Sequence, residues 1–157
     1  MNLYVKQKVF SWGDQFTVYD ENGNERYGVQ GEVFSWGKKL HVFDLAGIEC
    51  AFVRQKPFSF LPRFYISQNG RDVAEVVREF TFFHPTYTVK GLGWRVEGDL
   101  FAHEYEITDG MRTVVTVSKQ WMTWGDAYEI RISPDVDEIH ALAVVLVIDA
   151  CLENNAD

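Results

Sequence analysis

Cysteine is scarce, proline is scarce and no apolar run is long. The two cysteines, Cys50 and Cys151, stand far apart. One falls in a strand-like stretch and the other at the end of the last helix-like stretch, so free buried thiols in a reducing compartment are expected, not a disulfide. Cys50, in an aromatic-rich stretch, is expected in the core. Of the four prolines, Pro57 and Pro62 lie within the segment Lys56 to Arg63. That segment must be a loop or a sheet edge, because proline cannot donate to a strand ladder. A membrane-spanning helix needs roughly 18 or more apolar residues, whereas the longest run, Ala141 to Ile148, is bounded by His140 and Asp149. No transmembrane segment is expected. The N-terminus, Met1 to Lys8, carries no apolar signal core, which points to the cytoplasm. Basic charge is in deficit too: a net charge of −8 argues against nucleic acid and against wholesale binding to anionic lipid, while leaving room for a local basic patch.

Signatures of chemistry are equally thin. His41, His84, His103 and His140 are dispersed, and the two-histidine helical pattern of zinc hydrolases does not occur. His103 and Glu104 would face opposite sides of a strand. Asp135, Asp137 and Glu138 lack the central glycine of a calcium loop. Gly91-Leu92-Gly93 precedes a strand, so it offers no helix amides to a phosphate. No Gly-x-Ser-x-Gly occurs, and neither cysteine sits in a nucleophile motif. No catalytic residue, cofactor or metal ligand is expected.

What is present is aromatic and periodic. Twelve Phe, seven Tyr and five Trp make 15% of the 157 residues, a composition that favours strands in one domain spanning 1–157. Val9-Phe10-Ser11-Trp12-Gly13 recurs as Val33-Phe34-Ser35-Trp36-Gly37, with an echo at Trp121 to Asp126. Asn22-Gly23, Ala46-Gly47 and Asn69-Gly70 follow at spacings of 24 and 23 residues. Asn-Gly suits a tight hairpin because both residues tolerate positive φ. The pattern predicts strands at 3–8, 16–19, 26–31, 40–43, 48–54, 64–66, 72–80, 85–90, 94–98, 100–107, 112–119 and 127–132. In the tenth, Phe101, His103, Tyr105 and Ile107 should share one face. Tyr128, Ile130 and Ile132 should oppose Glu129 and Arg131. The repeated tryptophans before glycine (Trp12, Trp36 and Trp124) read as packing at hairpin ends.

The last segment reads as a helix over about 135–152, started by Ser133 or Asp135, with Glu138 completing a capping box. A helix apolar on every side must be enclosed. Twelve strands closed into a barrel leave a lumen wider than their own side chains fill, and one helix roughly 10 Å across fits it. The expected fold is therefore a mainly β, closed, roughly twelve-stranded antiparallel barrel around a C-terminal hydrophobic helix.

The hairpin patterns Phe64-Tyr65-Ile66-Ser67-Gln68-Asn69-Gly70 and Tyr105-Glu106-Ile107-Thr108-Asp109-Gly110, followed by an apolar helix ending Val147-Ile148-Asp149, resemble the LURP-one-related family. The resemblance runs over essentially the whole chain. It implies a twelve-stranded barrel around a central helix, the fold shared with tubby C-terminal domains and phospholipid scramblases. Lys38, Lys39, Arg54, Lys56 and Arg63, around the proline loop and an earlier turn, are the expected anion or lipid-binding residues. The expected role is a non-enzymatic binding or scaffold module, cytoplasmic or peripheral at a membrane. Its leading ligand is a phosphoinositide, another anionic lipid headgroup or phosphate. A protein-interaction module without lipid binding is the alternative, and an unrecognised hydrolase comes third.

Overall fold

The computed structural model describes residues 1–6, 15–32, 36–81, 84–123 and 125–154. Its strands are β1 (Asn2–Lys6), β2 (Gln15–Tyr19), β3 (Glu25–Gly31), β4 (Lys39–Phe43), β5 (Glu49–Gln55), β6 (Arg63–Gln68), β7 (Arg71–Glu79), β8 (Thr86–Lys90), β9 (Trp94–Asp99), β10 (Glu104–Thr108), β11 (Thr113–Met122) and β12 (Gly125–Ile132). The helix α1 (Glu138–Asn154) follows. The strands form an antiparallel meander in sequence order, and β1 closes the ring by pairing with β12 from Asn2↔Arg131 to Lys6↔Ala127. Closure removes the free edges that would otherwise template aggregation.

Alternation decides which side chains meet α1. Leu3, Val5, Leu40, Val42, Phe64, Ile66, Val76, Tyr87, Val96, Ile107 and Ile130 face inward and are buried. Ala141 to Ile148 of α1 are buried without exception. Outward positions of β9 and β10, among them Arg95, Glu97, Glu104 and Glu106, are exposed. A barrel seated in lipid presents an apolar band at such positions. No described helix is long and apolar enough to cross a membrane.

The helix starts three residues later than expected. Asp137, not Ser133 or Asp135, is the cap: its Oδ1 accepts the amides of Ile139 (2.9 Å) and His140 (3.0 Å). Glu138 turns away from any capping box to take Arg26 of β3 in a two-pronged pair at 2.8 Å for each bond, and Asp135 pairs with Arg112. At the other end Lys38 Nζ donates to the Ala150 carbonyl at 3.1 Å. A cation there complements the negative end of the helix dipole. Tyr128 OH donates to Asp149, and the His103 ring stacks on Tyr128 with centroids 4.7 Å apart. The rod is oily along its middle and pinned at its ends.

Local turn chemistry differs from the Asn-Gly reading in two of three hairpins. Asn69 (φ 52°) and Gly70 (φ 76°) do form the expected two-residue turn, with Gln68 opposite Arg71. In the β2–β3 and β4–β5 connections the organising residue is instead an aspartate. Asp20 Oδ1 accepts from Asn22 and Asn24, and Asp44 Oδ1 from Ala46 and Ile48. A short carboxylate folding back on downstream amides is an Asx turn. Register shifts beside these turns, at Val18/Tyr19 and Val42/Phe43, add the curvature a closed sheet requires.

Residues 100–103 form a turn, not the start of the tenth strand. His103 (φ 55°) donates its amide to Leu100 O, and Leu100 folds inward while Phe101 is exposed. Only Tyr105 and Ile107 of the expected face point into the core. Glu129 faces outward as expected yet is buried, accepting from Tyr4 OH and Arg131 at 2.9 Å each. Cys50 is half-buried and not in the core, because β5 turns Ala51 and Val53 inward.

Two stability outcomes follow from this arrangement. Val145→Asp places an unpaired charge at a site with no exposure, at a cost of several kcal/mol. A melting temperature within a few degrees of the parent would mean that α1 is not enclosed. Asp137→Ala should cost about 1 kcal/mol as a lost cap, read as a lower urea midpoint, with Ser133→Ala costing less.

Candidate functional site

Strand direction sorts the connections onto two rims. The lower rim, where α1 begins, holds the β2–β3, β4–β5, β6–β7, β8–β9 and β10–β11 turns. The upper rim, where α1 ends, holds the β3–β4, β5–β6, β7–β8 and β9–β10 connections. The expected basic residues gather near the upper rim on β4 to β6. Lys39 lies opposite Arg54, Arg54 lies opposite Tyr65, and the Lys56 amide donates to the Arg63 carbonyl at 2.8 Å. The structure thus brings the five cations into one region but leaves them in different electrostatic states.

Arg54 is saturated. It grips Asp72 through both terminal nitrogens at 2.8 and 2.9 Å, touches Ser67 Oγ at 2.8 Å and lies 4.7 Å over the Tyr65 ring. The guanidinium, helped by Ser67, holds the Asp72 carboxyl down at about 2. Arg63 is at ion-pair distance from Glu75, 2.9 Å. Lys38 is turned onto the end of α1. Lys39 and Lys56 have no carboxylate at ion-pair distance among the described residues.

Below Arg54, the outer face of β4 to β7 forms a shallow groove of about 580 Å³ that includes His41, Cys50, Phe52, Ser67 and Asp72. His41 sits between two carboxylates, with Nδ1 2.5 Å from Glu49 and Nε2 2.8 Å from Glu32, and its ring stacks on Phe52 at 4.7 Å. Burial opposes the imidazolium; Glu49 and Glu32 outweigh it and raise the pKa. Burial and then the Asp44 charge push the Cys50 thiol up, away from the thiolate form. Among the described residues no cluster of three or more His, Cys, Asp or Glu side chains is arranged to hold a metal.

Above Arg54, on the rim itself, a cleft of about 320 Å³ lies between the β3–β4 and β5–β6 connections. Trp36, Lys56, Phe58 and Phe60 line it, with the Trp36 and Phe58 ring centroids 6.0 Å apart. Trp36 is 78% exposed, which overturns its reading as hairpin packing. Trp12 and Trp124 lie outside the described residues. Gly37 (φ 76°) is required below Trp36, because a Cβ there would meet Gln55 O at 3.0 Å. Reading the charges alone missed Phe58 and Phe60. Their signal was two phenylalanines inside a proline-bracketed loop that has no strand to bury them.

The LURP-one-related family model matches residues 1–149. The chain belongs to the LURP-one-related family. It is 38% identical over 157 residues to YxjI, an uncharacterised protein of Bacillus subtilis (strain 168), covering 100% of this chain and 97% of that one. The X-ray structure of an Arabidopsis thaliana protein superposes with a TM-score of 0.71 at 18% identity, covering 95% of this chain and 89% of that one. At that identity the likeness is one of fold, and it agrees with the closed barrel around a C-terminal helix.

The His41 pair makes a pH prediction. Because its folded pKa is raised, its stabilisation is fully present below the unfolded value of about 6.5 and is lost as pH rises through the folded one. The stability difference between the parent and His41→Gln should therefore be larger near about pH 6 than near about pH 9 in urea melts. A difference constant with pH would remove the ion pair.

Proposed function

We propose that this chain is a non-enzymatic cytoplasmic binding module that receives an anionic phosphate group, as carried by a lipid headgroup or a soluble phosphate, at the upper end of β4 to β6. One observation carries the reading: Lys39 and Lys56 are cations without a carboxylate partner among the described residues, while the neighbouring arginines are neutralised. Lys39 opposes Arg54 across the sheet, and Lys56 continues the outward face of Arg54 two residues on. An ammonium is a compact point charge able to take a phosphate from several directions. Arg54 and Arg63 then frame the site without competing for the ligand.

The same chemistry favours binding over catalysis. Both ring nitrogens of His41 face carboxylates, which favour the protonated ring over the free lone pair that a general base requires. Arg54 spends its terminal nitrogens on Asp72 and Ser67.

A salt series tests the reading in two arms, a soluble inositol polyphosphate and phosphatidylcholine vesicles with and without phosphoinositide. Binding in either arm should be strongest at low salt, where charge is least screened. Lys39→Glu with Lys56→Glu should abolish it without moving the melting temperature. Binding to neither probe at low salt would sink the phosphate reading and leave a protein partner as the better one.

A further inference from the structure

The exposed aromatic side chains among the described residues are Trp36, Phe58, Phe60, Phe80, Phe101 and Trp121. Strand direction puts every one of them on the upper rim. Trp36 comes from the β3–β4 connection, Phe58 and Phe60 from β5–β6, Phe80 from the residue after β7, Phe101 from β9–β10, and Trp121 from the last turn of the ladder on β11. In a barrel whose strands run around the ring in sequence order, these positions are spread around the circumference and not collected on one side. The exposed large apolar residues of the lower rim are instead aliphatic: Met1, Leu45, Ile48 and Met111.

Scattered single apolar residues need no explanation, but a ring of large aromatics is another matter. Phe58 is 91% and Phe60 90% exposed. Phe58 also holds φ 60°, a region unfavourable for a bulky residue. Folding rewards neither the exposure nor the conformation, and such outliers concentrate where a ligand is met.

Charge divides between the rims in the same sense. Lower-rim connections carry Asp20, Glu21, Asp44, Asp109, Asp135 and Asp137 against Arg112. The described upper-rim connections carry Lys38 and Lys56 against Glu32, and at the adjoining strand ends Lys6, Lys39 and Arg63 stand against Glu79, Asp99, Glu104 and Asp126, so this rim is near neutral where the other is acidic. A body acidic at one end presents its other end to a negative surface.

We infer that the upper rim is a peripheral membrane-docking face: its aromatic ring seats in the headgroup layer of an anionic bilayer, with the barrel standing on the membrane and the lower rim facing water. Aromatic side chains prefer that layer because an apolar ring body and a polarisable face suit a half-wet medium. A circular arrangement matches a flat, extended partner better than a peptide, which would engage the Trp36–Phe58 cleft and leave Phe80, Phe101 and Trp121 uncovered. The two unpaired lysines lie beside the ring, so the inference deepens the phosphate reading for its lipid source and rests on it.

The experiment uses the full chain with vesicles of phosphatidylcholine alone and of phosphatidylcholine with phosphatidylglycerol, some bearing brominated acyl chains that quench tryptophan. Trp36→Ser, Phe58→Ser and Phe60→Ser are combined in one variant. Leu45→Ser with Met111→Ser serves as the lower-rim control. The parent should sediment with the mixed vesicles and lose tryptophan fluorescence to bromine. The upper-rim variant should partition at least about tenfold more weakly, as expected for removing three large rings from an interface, with an unchanged melting temperature. The control should match the parent.

Salt-sensitive binding without quenching, equal in parent and upper-rim variant, would overturn the aromatic docking while leaving the phosphate reading in place. Binding to soluble inositol polyphosphate but to no vesicle would do the same. No binding to vesicles or to that soluble probe overturns both. A parent that self-associates, with the upper-rim variant monomeric, would overturn the membrane assignment by making the rim an interface between copies.

Discussion

Enclosure of α1 is the constraint on which the rest depends. Ala141 to Ile148 offer no polar side to water, so the helix has no stable place on a surface. The closed sheet has the complementary problem, since a twelve-stranded ring cannot fill its own lumen with side chains. Each element serves as the other's apolar solvent. Register follows from this, because a slip of one residue in β4 would turn Leu40 and Val42 to water and His41 into the core.

Polar groups are consequently confined to the ends and the outside. Asp137 and Lys38 satisfy the helix termini, Glu138 holds Arg26 of β3, and Asp149 finds Tyr128 where the helix leaves the barrel. On the outer wall, Arg54–Asp72, Arg63–Glu75 and Arg95–Glu97 cancel one another. Pairs as exposed as Arg95–Glu97 contribute little to stability. Their larger effect is to quench charge over most of the outer wall, so that Lys39, Lys56 and the exposed aromatics stand out at the upper rim.

Much of this was legible from the chain. Twelve strands, their approximate limits and the antiparallel closure follow from period-two alternation and regularly spaced turn residues, both of which are local signals. The apolar helix was legible because a run without a polar face admits only enclosure. Its start was displaced by three residues because Ser133, Asp135 and Asp137 are all competent caps, and the choice among them falls to distant partners: Arg112 draws off Asp135 and Arg26 draws off Glu138. The tenth strand is shorter than expected because Phe101 and His103 continue the alternation of Tyr105 and Ile107 in sequence, yet residues 100–103 turn, burying Leu100 and exposing Phe101.

By itself, then, the sequence determined the barrel, its helix and the membership in a family, since each rests on patterns within a few residues or along the entire chain. Tertiary structure alone decided which cations are free, which face of β5 carries Cys50 and where the exposed aromatics point. Those outcomes depend on pairings across the sheet, Lys39 with Arg54 and Arg54 with Tyr65, and on the up-and-down course that gathers distant loops onto one rim. Neighbours in space and strangers in sequence set the electrostatics, and no local pattern encodes them.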